Sequence, residues 1–286
     1  MHRFYLITNT IKDPDLSVTH SIMNYLMSKG QTCTYCLENK RNAHDPFRYT
    51  NPDNIPEGTD CILVLGGDGT LILSATDTID RQIPLLGINL GTLGYLAEID
   101  RTSIYPAMDH LIRGEYMIEQ RMLLRGTVSR AGVPCESDIA LNDIVIRKDE
   151  AYGTIEVKNF VNDAYLNSYK TDGIIISTPT GSTGYSMSVG GPIISPGANL
   201  FLMTPLAAHV LNTRSIVLPC EDTISVIVGP GRDGQREKAA AYFDGNKKVA
   251  MTTGDRIDIC RADKTALFVK LDNHSFLETL SRKMSN

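Results

Sequence analysis

The chain has 286 residues, 42% of them hydrophobic and 21% charged, with a formal net charge of −5. That balance is one of a soluble globular protein long enough for one large domain or two ordinary ones. It speaks against a general polyanion binder, which carries a basic stripe, and no apolar run nears the roughly 18 residues of a membrane span. The N-terminus, Met1-His2-Arg3-Phe4-Tyr5-Leu6-Ile7-Thr8, enters a strand pattern rather than a signal peptide. A cytoplasmic protein with no nucleic-acid or membrane partner is expected.

Residues 4–8 read as a short apolar strand, followed by a polar loop through Asp13 and Pro14. Asp15 is a good N-cap, and Leu16, Thr19, Ile22, Met23 and Leu26 recur at helical spacing, up to Gly30 as the residue that ends the helix. A second strand runs to Leu37 and holds Cys33 and Cys36. Their odd separation sets the thiols on opposite faces, and no second pair completes a zinc site, so the six cysteines read as reduced and structural. Residues 38–59, rich in Asn, Asp and Pro, make a connection longer than compact domains use, either a mobile active-site loop or disorder.

Next, Cys61-Ile62-Leu63-Val64-Leu65 is apolar without alternation, as a strand buried on both faces is, and it stops at Gly66-Gly67-Asp68-Gly69-Thr70. Glycine reaches positive φ and lets a ligand approach the backbone, while the helix beginning near Leu71 brings its N-terminus to the same place. That is an anion site, with Gly66, Gly67 and Thr70 as the candidate phosphate contacts. A carboxylate there repels the anion that the backbone attracts. Asp68 is therefore read as acting on a hydroxyl beside the phosphate, with a helix-capping carboxylate as the plainer account. A fourth strand, residues 85–89, ends in Asn89-Leu90-Gly91-Thr92-Leu93-Gly94-Tyr95. Strand–helix alternation predicts a parallel, Rossmann-like α/β sheet with ligands outside the carboxyl ends of its strands, where both glycine turns fall.

After a helix around residues 103–113 the pattern changes. Alternating segments at 123–128, 139–147, 154–160, 164–169, 216–218, 224–228, 240–243, 256–260 and 266–270 predict an antiparallel β domain. The fold expected is an α/β N-terminal domain over 1–100, a C-terminal β-sandwich domain over 101–271, and a tail, 272–286, returning to the first domain. Residues 171–192 interrupt the β pattern, pairing an apolar strand at 174–176 with a dense run of hydroxyls and glycines. A structural loop needs fewer donors, and such a set suits a ligand with phosphates and sugar hydroxyls. Arg232, Arg236, Lys238, Lys247 and Lys248 surround a probable hairpin and fit either a solvated surface or attraction of a donor phosphate.

Taken together, these residues resemble the NAD kinase family in its bacterial type, over most of the chain. The resemblance is carried by Gly66-Gly67-Asp68-Gly69-Thr70, by the turn from Gly87 to Leu96, and by Leu141-Asn142-Asp143-Ile144-Val145. The 171–192 stretch follows, then Thr204-Pro205-Leu206-Ala207-Ala208-His209 with Asn212 and Arg214, and Asp244-Gly245-Asn246. It implies transfer of a phosphoryl group from ATP, or in some members polyphosphate, to the adenosine ribose 2′-hydroxyl of NAD. It further implies Asp68 as the base for that hydroxyl, Gly69 against the ligand, Asn142 and Asp143 on base and ribose, and Asp172 near the nicotinamide end. Lys170 matches a basic position. Thr183, Gly184, Tyr185 and Ser188 match the segment enclosing the adenosine, and Asn246 a polar contact. Tyr95 stands where Phe is frequent, and Gly153 near a position that is His in some members. Mg²⁺ or another divalent cation accompanying ATP, a homodimer or homotetramer, and a site between the two domains are also implied. His209 stays open between a structural and a functional role. A lipid or sugar kinase sharing the first glycine turn, or a silent NAD(P) sensor, are the competing readings.

Overall fold

The apolar runs of the N-terminal part become strands because hydrogen bonding to neighbours on both sides is the way to bury a continuous apolar backbone. In a computed structural model, which describes residues 1–36, 47–91, 94–149, 153–207, 214–271 and 276–285, contacts divide the chain into two units. One is Met1–Arg121 with Ala266–Asn286, the other Met122–Thr265.

In the first unit β1 (Arg3–Thr8) leads through α1 (Ser17–Ser28) to β2 (Thr32–Cys36), then β3 (Cys61–Gly66), α2 (Asp68–Asp77) and β4 (Leu85–Asn89). A short β5 (Ile99–Asp100), α3 (Ile104–Arg113) and β6 (Met117–Arg121) follow. The second unit runs through β7 (Leu124–Arg130), β8 (Val133–Ala140), β9 (Asp143–Lys148), β10 (Ile155–Val161), β11 (Ala164–Thr171) and β12 (Gly173–Ser177). It continues with α4 (Tyr185–Ser188), β13 (Leu200–Leu206), β14 (Ile216–Pro219), β15 (Ile224–Val228), β16 (Lys238–Phe243), β17 (Lys247–Thr252) and β18 (Arg256–Arg261). The chain returns to the first unit as β19 (Ala266–Lys270) and α5 (Phe276–Met284).

The first sheet has the order β2-β1-β3-β4-β19-β6, with β5 beside β4. Strands β2, β1, β3 and β4 are mutually parallel. Because β1 leads to β2 on one side and β3 leads to β4 on the other, the connections from the carboxyl ends of these adjacent strands run in opposite directions, the switch point at which open α/β sheets form a crevice. Ile22 and Leu26 of α1 and Met108 and Leu111 of α3 join Phe4, Leu6, Leu63, Leu65 and Leu86 in one core. The second unit has two six-stranded antiparallel sheets, β11-β10-β15-β18-β7-β8 and β14-β13-β12-β9-β16-β17. Their inner faces share a core in which Ile144, Ile146, Ile176 and Phe243 meet Leu124, Val226, Val228 and Ile259, the alternation of a face-to-face packing.

Several expectations change. The units meet at Arg121/Met122 and Thr265/Ala266 rather than at residues 100 and 271, because β6 and β19 pair with each other in the first sheet. The segment 139–147 is two strands: β8 pairs in one sheet and β9 in the other, with a turn at Leu141–Asn142 where the chain crosses. Asp15 lies one residue outside the cap position of α1 and accepts there from Ser17 N–H, at 3.3 Å. The residue before the helix is Leu16 at φ 56°, and it is Asp13 that accepts from the N–H groups of Val18 (3.2 Å) and Thr19 (2.9 Å) and from the Thr19 hydroxyl (2.7 Å). Asp13 is 1% exposed and sits closer to the first turn than its sequence distance suggests.

Of the 38–59 connection, residues 38–46 lie outside the described residues. The remainder is fastened: the Asp77 carboxylate accepts from the N–H groups of Arg48 (2.7 Å), Tyr49 (2.6 Å) and Thr50 (2.9 Å). Burial pushes the Asp77 carboxyl up, against the pull of those N–H groups. Cys33 is buried and its thiol is pushed up to about 12, so it is inert. Nothing is described of the Cys36 side chain. No helix among the described residues is long and apolar enough to cross a membrane.

Loss of a helix cap costs about 1–2 kcal/mol. Asp13→Ala should therefore lower the urea midpoint measurably, while Asp15→Ala leaves the unfolding curve close to wild type. The reverse ranking would show that the cap is misassigned.

Candidate active site

Two groups of predicted site residues assemble, one in each unit. In the first, β3 delivers the Gly66–Thr70 turn to its carboxyl end, and Gly67 is the N-cap of α2 with φ −138°. None of Gly66, Gly67 and Gly69 has positive φ, so an unusual backbone is not what calls for them, and at Gly66 the reason is room. A Cβ on Gly66 would lie 2.7 Å from Thr70 Oγ1, whereas one on Gly69 would meet open space. The Thr70 hydroxyl accepts from Asn9 Nδ2 at 3.0 Å and is 7% exposed, which makes it part of the turn's scaffold.

Asp68, the first residue of α2, does not cap its own helix. Its Oδ2 accepts from Tyr95 N–H (2.6 Å) and its Oδ1 from Leu96 N–H (3.3 Å) and Ala97 N–H (3.2 Å). Gly94 makes this possible, because a Cβ there would fall 1.9 Å from Asp68 Oδ1. A carboxylate has roughly four acceptor positions. Three are taken, leaving one on Oδ2 for a hydroxyl. The Tyr95 ring lies under Lys283 of α5, with Nζ 4.4 Å from its centroid.

In the second unit the site is built on one face of β9. Even residues Ile144 and Ile146 enter the core, so Asp143, Val145 and Arg147 face the other way. They line a cavity of about 470 Å³ with Asn142, Tyr185 and Tyr242. Tyr242 is the cross-strand partner of Val145, and the Arg147 guanidinium lies 5.5 Å from its ring centroid. The cavity is closed by the Asp244-Gly245 turn, both residues at positive φ (48° and 65°).

Asp244 sets the position of the whole group. Its carboxylate accepts from the N–H groups of Leu141 (2.8 Å), Asn142 (2.8 Å) and Asp143 (3.2 Å). From the other side Thr178 donates its hydroxyl to Leu141 O (2.6 Å) and its N–H to Asn142 O (2.9 Å). This double hold leaves the Asp143 carboxyl buried beside a second carboxylate. Burial first, then the Asp244 charge, push it up to about 7. Asn142 Oδ1 and Asn246 Oδ1 are buried without a hydrogen-bond partner among the described residues.

Gly184 adjoins this group: a Cβ on it would be 3.5 Å from Asn142 Nδ2. Thr183 turns its hydroxyl to Thr180 O (3.2 Å), and Lys170 and Asp172 are exposed on either side of Thr171. None of these three, nor Ser188, lines the cavity. The hydroxyl run is largely structural, contrary to expectation. Thr178, Ser182 and Ser186 are buried, and Ser182 holds both Pro179 O (2.7 Å) and Ile194 N–H (2.9 Å). A tight turn under a sheet has many orphan backbone groups, and hydroxyls satisfy them. Of the basic cluster, Lys247 pairs with Asp138 (3.3 Å) and Lys248 with Asp149, as on a solvated surface. His209 and Asn212 lie outside the described residues.

Comparison with known proteins resolves what this arrangement belongs to. Residues 5–116 match the ATP-NAD kinase N-terminal domain and residues 141–271 the ATP-NAD kinase C-terminal domain. The chain belongs to the NAD kinase family. It is 42% identical to the NAD kinase of Agathobacter rectalis over 100% of this chain and 99% of that protein. It is 40% identical to that of Lachnospira eligens, covering 99% of this chain and 100% of the relative. In fold it is similar to yeast NADH kinase complexed with NADH (TM-score 0.86, 21% identity, 100% and 88% covered). It is likewise similar to an NAD kinase from Archaeoglobus fulgidus in complex with ATP (TM-score 0.77, 24% identity, 98% and 98% covered).

Sequence reading of this NAD kinase family member missed Arg147 and Tyr242. The strict alternation after Asp143 and the pairing of two strands were the signals that lead to them.

Asp143 gives a pH test. Its folded value of about 7 lies above the ordinary 3.8, so the folded protein holds the proton more tightly than the unfolded chain. Stability from this group is full below about 4, falls as pH rises through 7, and the cost persists above. Asp143→Asn removes that dependence. Its melting temperature relative to wild type should rise between pH 5 and pH 8 by about 3 °C or more, and a difference flat with pH would contradict the burial argument.

Proposed function

We propose that the protein transfers the terminal phosphoryl group of ATP to the adenosine ribose 2′-hydroxyl of NAD, giving NADP and ADP. The observation that carries this is the match to both domain models, together with full-length relatives named NAD kinase. The 2′-oxygen attacks the γ-phosphorus, the bond to the ADP oxygen breaks, and the hydroxyl proton passes to Asp68 Oδ2. A ribose hydroxyl is a weak nucleophile, and a positioned base contributes about 10²–10⁴ in rate. Three backbone donors on the Asp68 carboxylate support this role, since they fix its orientation while leaving one acceptor position for the substrate.

Asn142, Asp143 and Tyr185 hold the adenosine in the cavity of the second unit, with Gly184, Thr183, Ser188 and Asn246 around it, Gly69 against the ligand, and Lys170 and Asp172 toward the nicotinamide side. Asn142 Oδ1 and Asn246 Oδ1, buried and without partners among the described residues, support a polar ligand there. Gly66, Gly67 and Thr70 back the phosphates. A divalent ion, Mg²⁺ or its like, enters on the phosphates of ATP and neutralises their charge. Asp68 is the acid of the phosphate turn, and three of its roughly four acceptor positions are taken by residues 95–97, which suits an ion held by the nucleotide. We further propose a cytoplasmic homodimer or homotetramer.

Purified protein with NAD, Mg²⁺ and ATP should yield NADP, read by an NADP-specific dehydrogenase; a panel of donors and acceptors that gave no NADP would remove the reading. Asp68→Asn should keep its Kd for NAD within a few fold and lose about 10²–10⁴ in kcat. A variant with near-native turnover would end the general-base assignment.

A further inference from the structure

The side chain that reaches over both glycine turns is Lys12. A Cβ on Gly67 would lie 2.8 Å from Lys12 Nζ, and one on Gly91 would lie 3.2 Å from it. The ammonium thus rests over two turns that follow different strands, β3 and β4. Among the described residues Lys12 has no carboxylate partner, and it is half-buried rather than free in solvent.

This position is held firmly. Asn9 N–H donates to Leu65 O (2.8 Å), which ties the start of the β1–α1 loop to β3. The same Asn9 donates its side chain to Thr70 Oγ1 (3.0 Å), and its carbonyl accepts from the N–H groups of Lys12 (2.9 Å) and Asp13 (3.0 Å). Asp13 locks the next turn by capping α1, and Arg101 donates to Lys12 O at 3.3 Å. A loop anchored at both ends and in the middle therefore presents one lysine.

The electrostatics are unusual for a surface lysine. The N-terminus of α2 carries partial positive charge, which disfavours a cation beside it. Asp68, the acid in the same turn, has its oxygens on the N–H groups of residues 95–97. A cation, a helix N-terminus and two bare glycine backbones thus converge, and the one carboxylate of the turn is engaged by the N–H groups of residues 95–97. They also converge at the carboxyl ends of β1, β3 and β4, where the connections from β1 and β3 leave in opposite directions, the place where such sheets bind ligands.

We propose that Lys12 contacts the phosphate chain of the nucleoside triphosphate donor and holds its terminal phosphates against the Gly66–Thr70 and Asn89–Gly91 turns. The proposal rests on the reading of the chain as an ATP-dependent kinase. Lysine suits this task as a mobile point charge that follows the phosphoryl group as negative charge shifts to the leaving ADP.

The test uses full-length protein, with rates of NADP formation measured against ATP at saturating NAD and the reverse. Lys12→Met should raise the KM for ATP, or lower kcat, by about tenfold or more, with the KM for NAD within twofold. Lys12→Arg should recover most of the loss, which a purely structural role would not allow. Inorganic tripolyphosphate, which carries phosphates and no nucleoside, should compete with ATP in wild type and about tenfold more weakly in Lys12→Met; inhibition by adenosine should be the same in both. Equal tripolyphosphate inhibition with unchanged ATP kinetics would overturn the proposal. A rise confined to the KM for NAD would also overturn it, by placing the contact on the acceptor's pyrophosphate. Should wild type form no NADP at all, the kinase reading fails; calorimetry of tripolyphosphate binding to wild type and Lys12→Met then decides the phosphate contact by itself.

Discussion

A carboxylate that collects consecutive backbone N–H groups is the interaction on which this structure depends. Asp244 does it for residues 141–143, Asp68 for 95–97, Asp77 for 48–50 and Asp13 for the first turn of α1. Each of these segments is a bend whose N–H groups point the same way and have no ladder to join. Buried and unpaired, each such group would cost about 1–3 kcal/mol. One acidic side chain satisfies two or three at once, and Asp244, Asp68 and Asp77 arrive from far along the chain. A bend built this way is a fixed platform, because moving it breaks several bonds together.

Two of the platforms carry the residues proposed for the chemistry. Asp244 and Thr178 grip the Leu141–Asn142 turn from opposite sides, and that grip aims Asn142 and Asp143 at the cavity. The arrangement has a stability cost, visible as two carboxyl groups near each other and two buried amide oxygens without partners among the described residues. A core that had only to fold would not retain them. Polar groups kept unsatisfied in a preformed pocket are preorganised for a ligand that completes them.

Much of this could be read from the sequence where the signal is local. The strands at 61–65, 85–89 and 174–176 announce themselves as continuous apolar runs, and the α/β-then-β order follows from the change in periodicity near residue 120. What could not be read has partners far away. Asp15 looks a better cap than Asp13 until the loop is folded back on α1. Residues 139–147 look like one strand because nothing nearby reveals that Asp244, about a hundred residues later, draws the turn out of the ladder. The hydroxyls at 178–186 look like ligand donors, since a sequence does not show which carbonyls they will meet. Lys12 is silent for the same reason: its meaning lies in two glycines that are distant in sequence.

The proton on Asp143 has one more consequence. With its carboxyl pushed up to about 7 by burial and by the Asp244 charge, Asp143 changes charge near neutral pH and not in the ordinary carboxylate range. A ligand that offers two hydroxyl donors to this carboxyl favours its ionised form and expels that proton into the medium. The heat of association then includes the protonation of whatever buffer receives it, and apparent affinity becomes a property of the solution as well as of the protein.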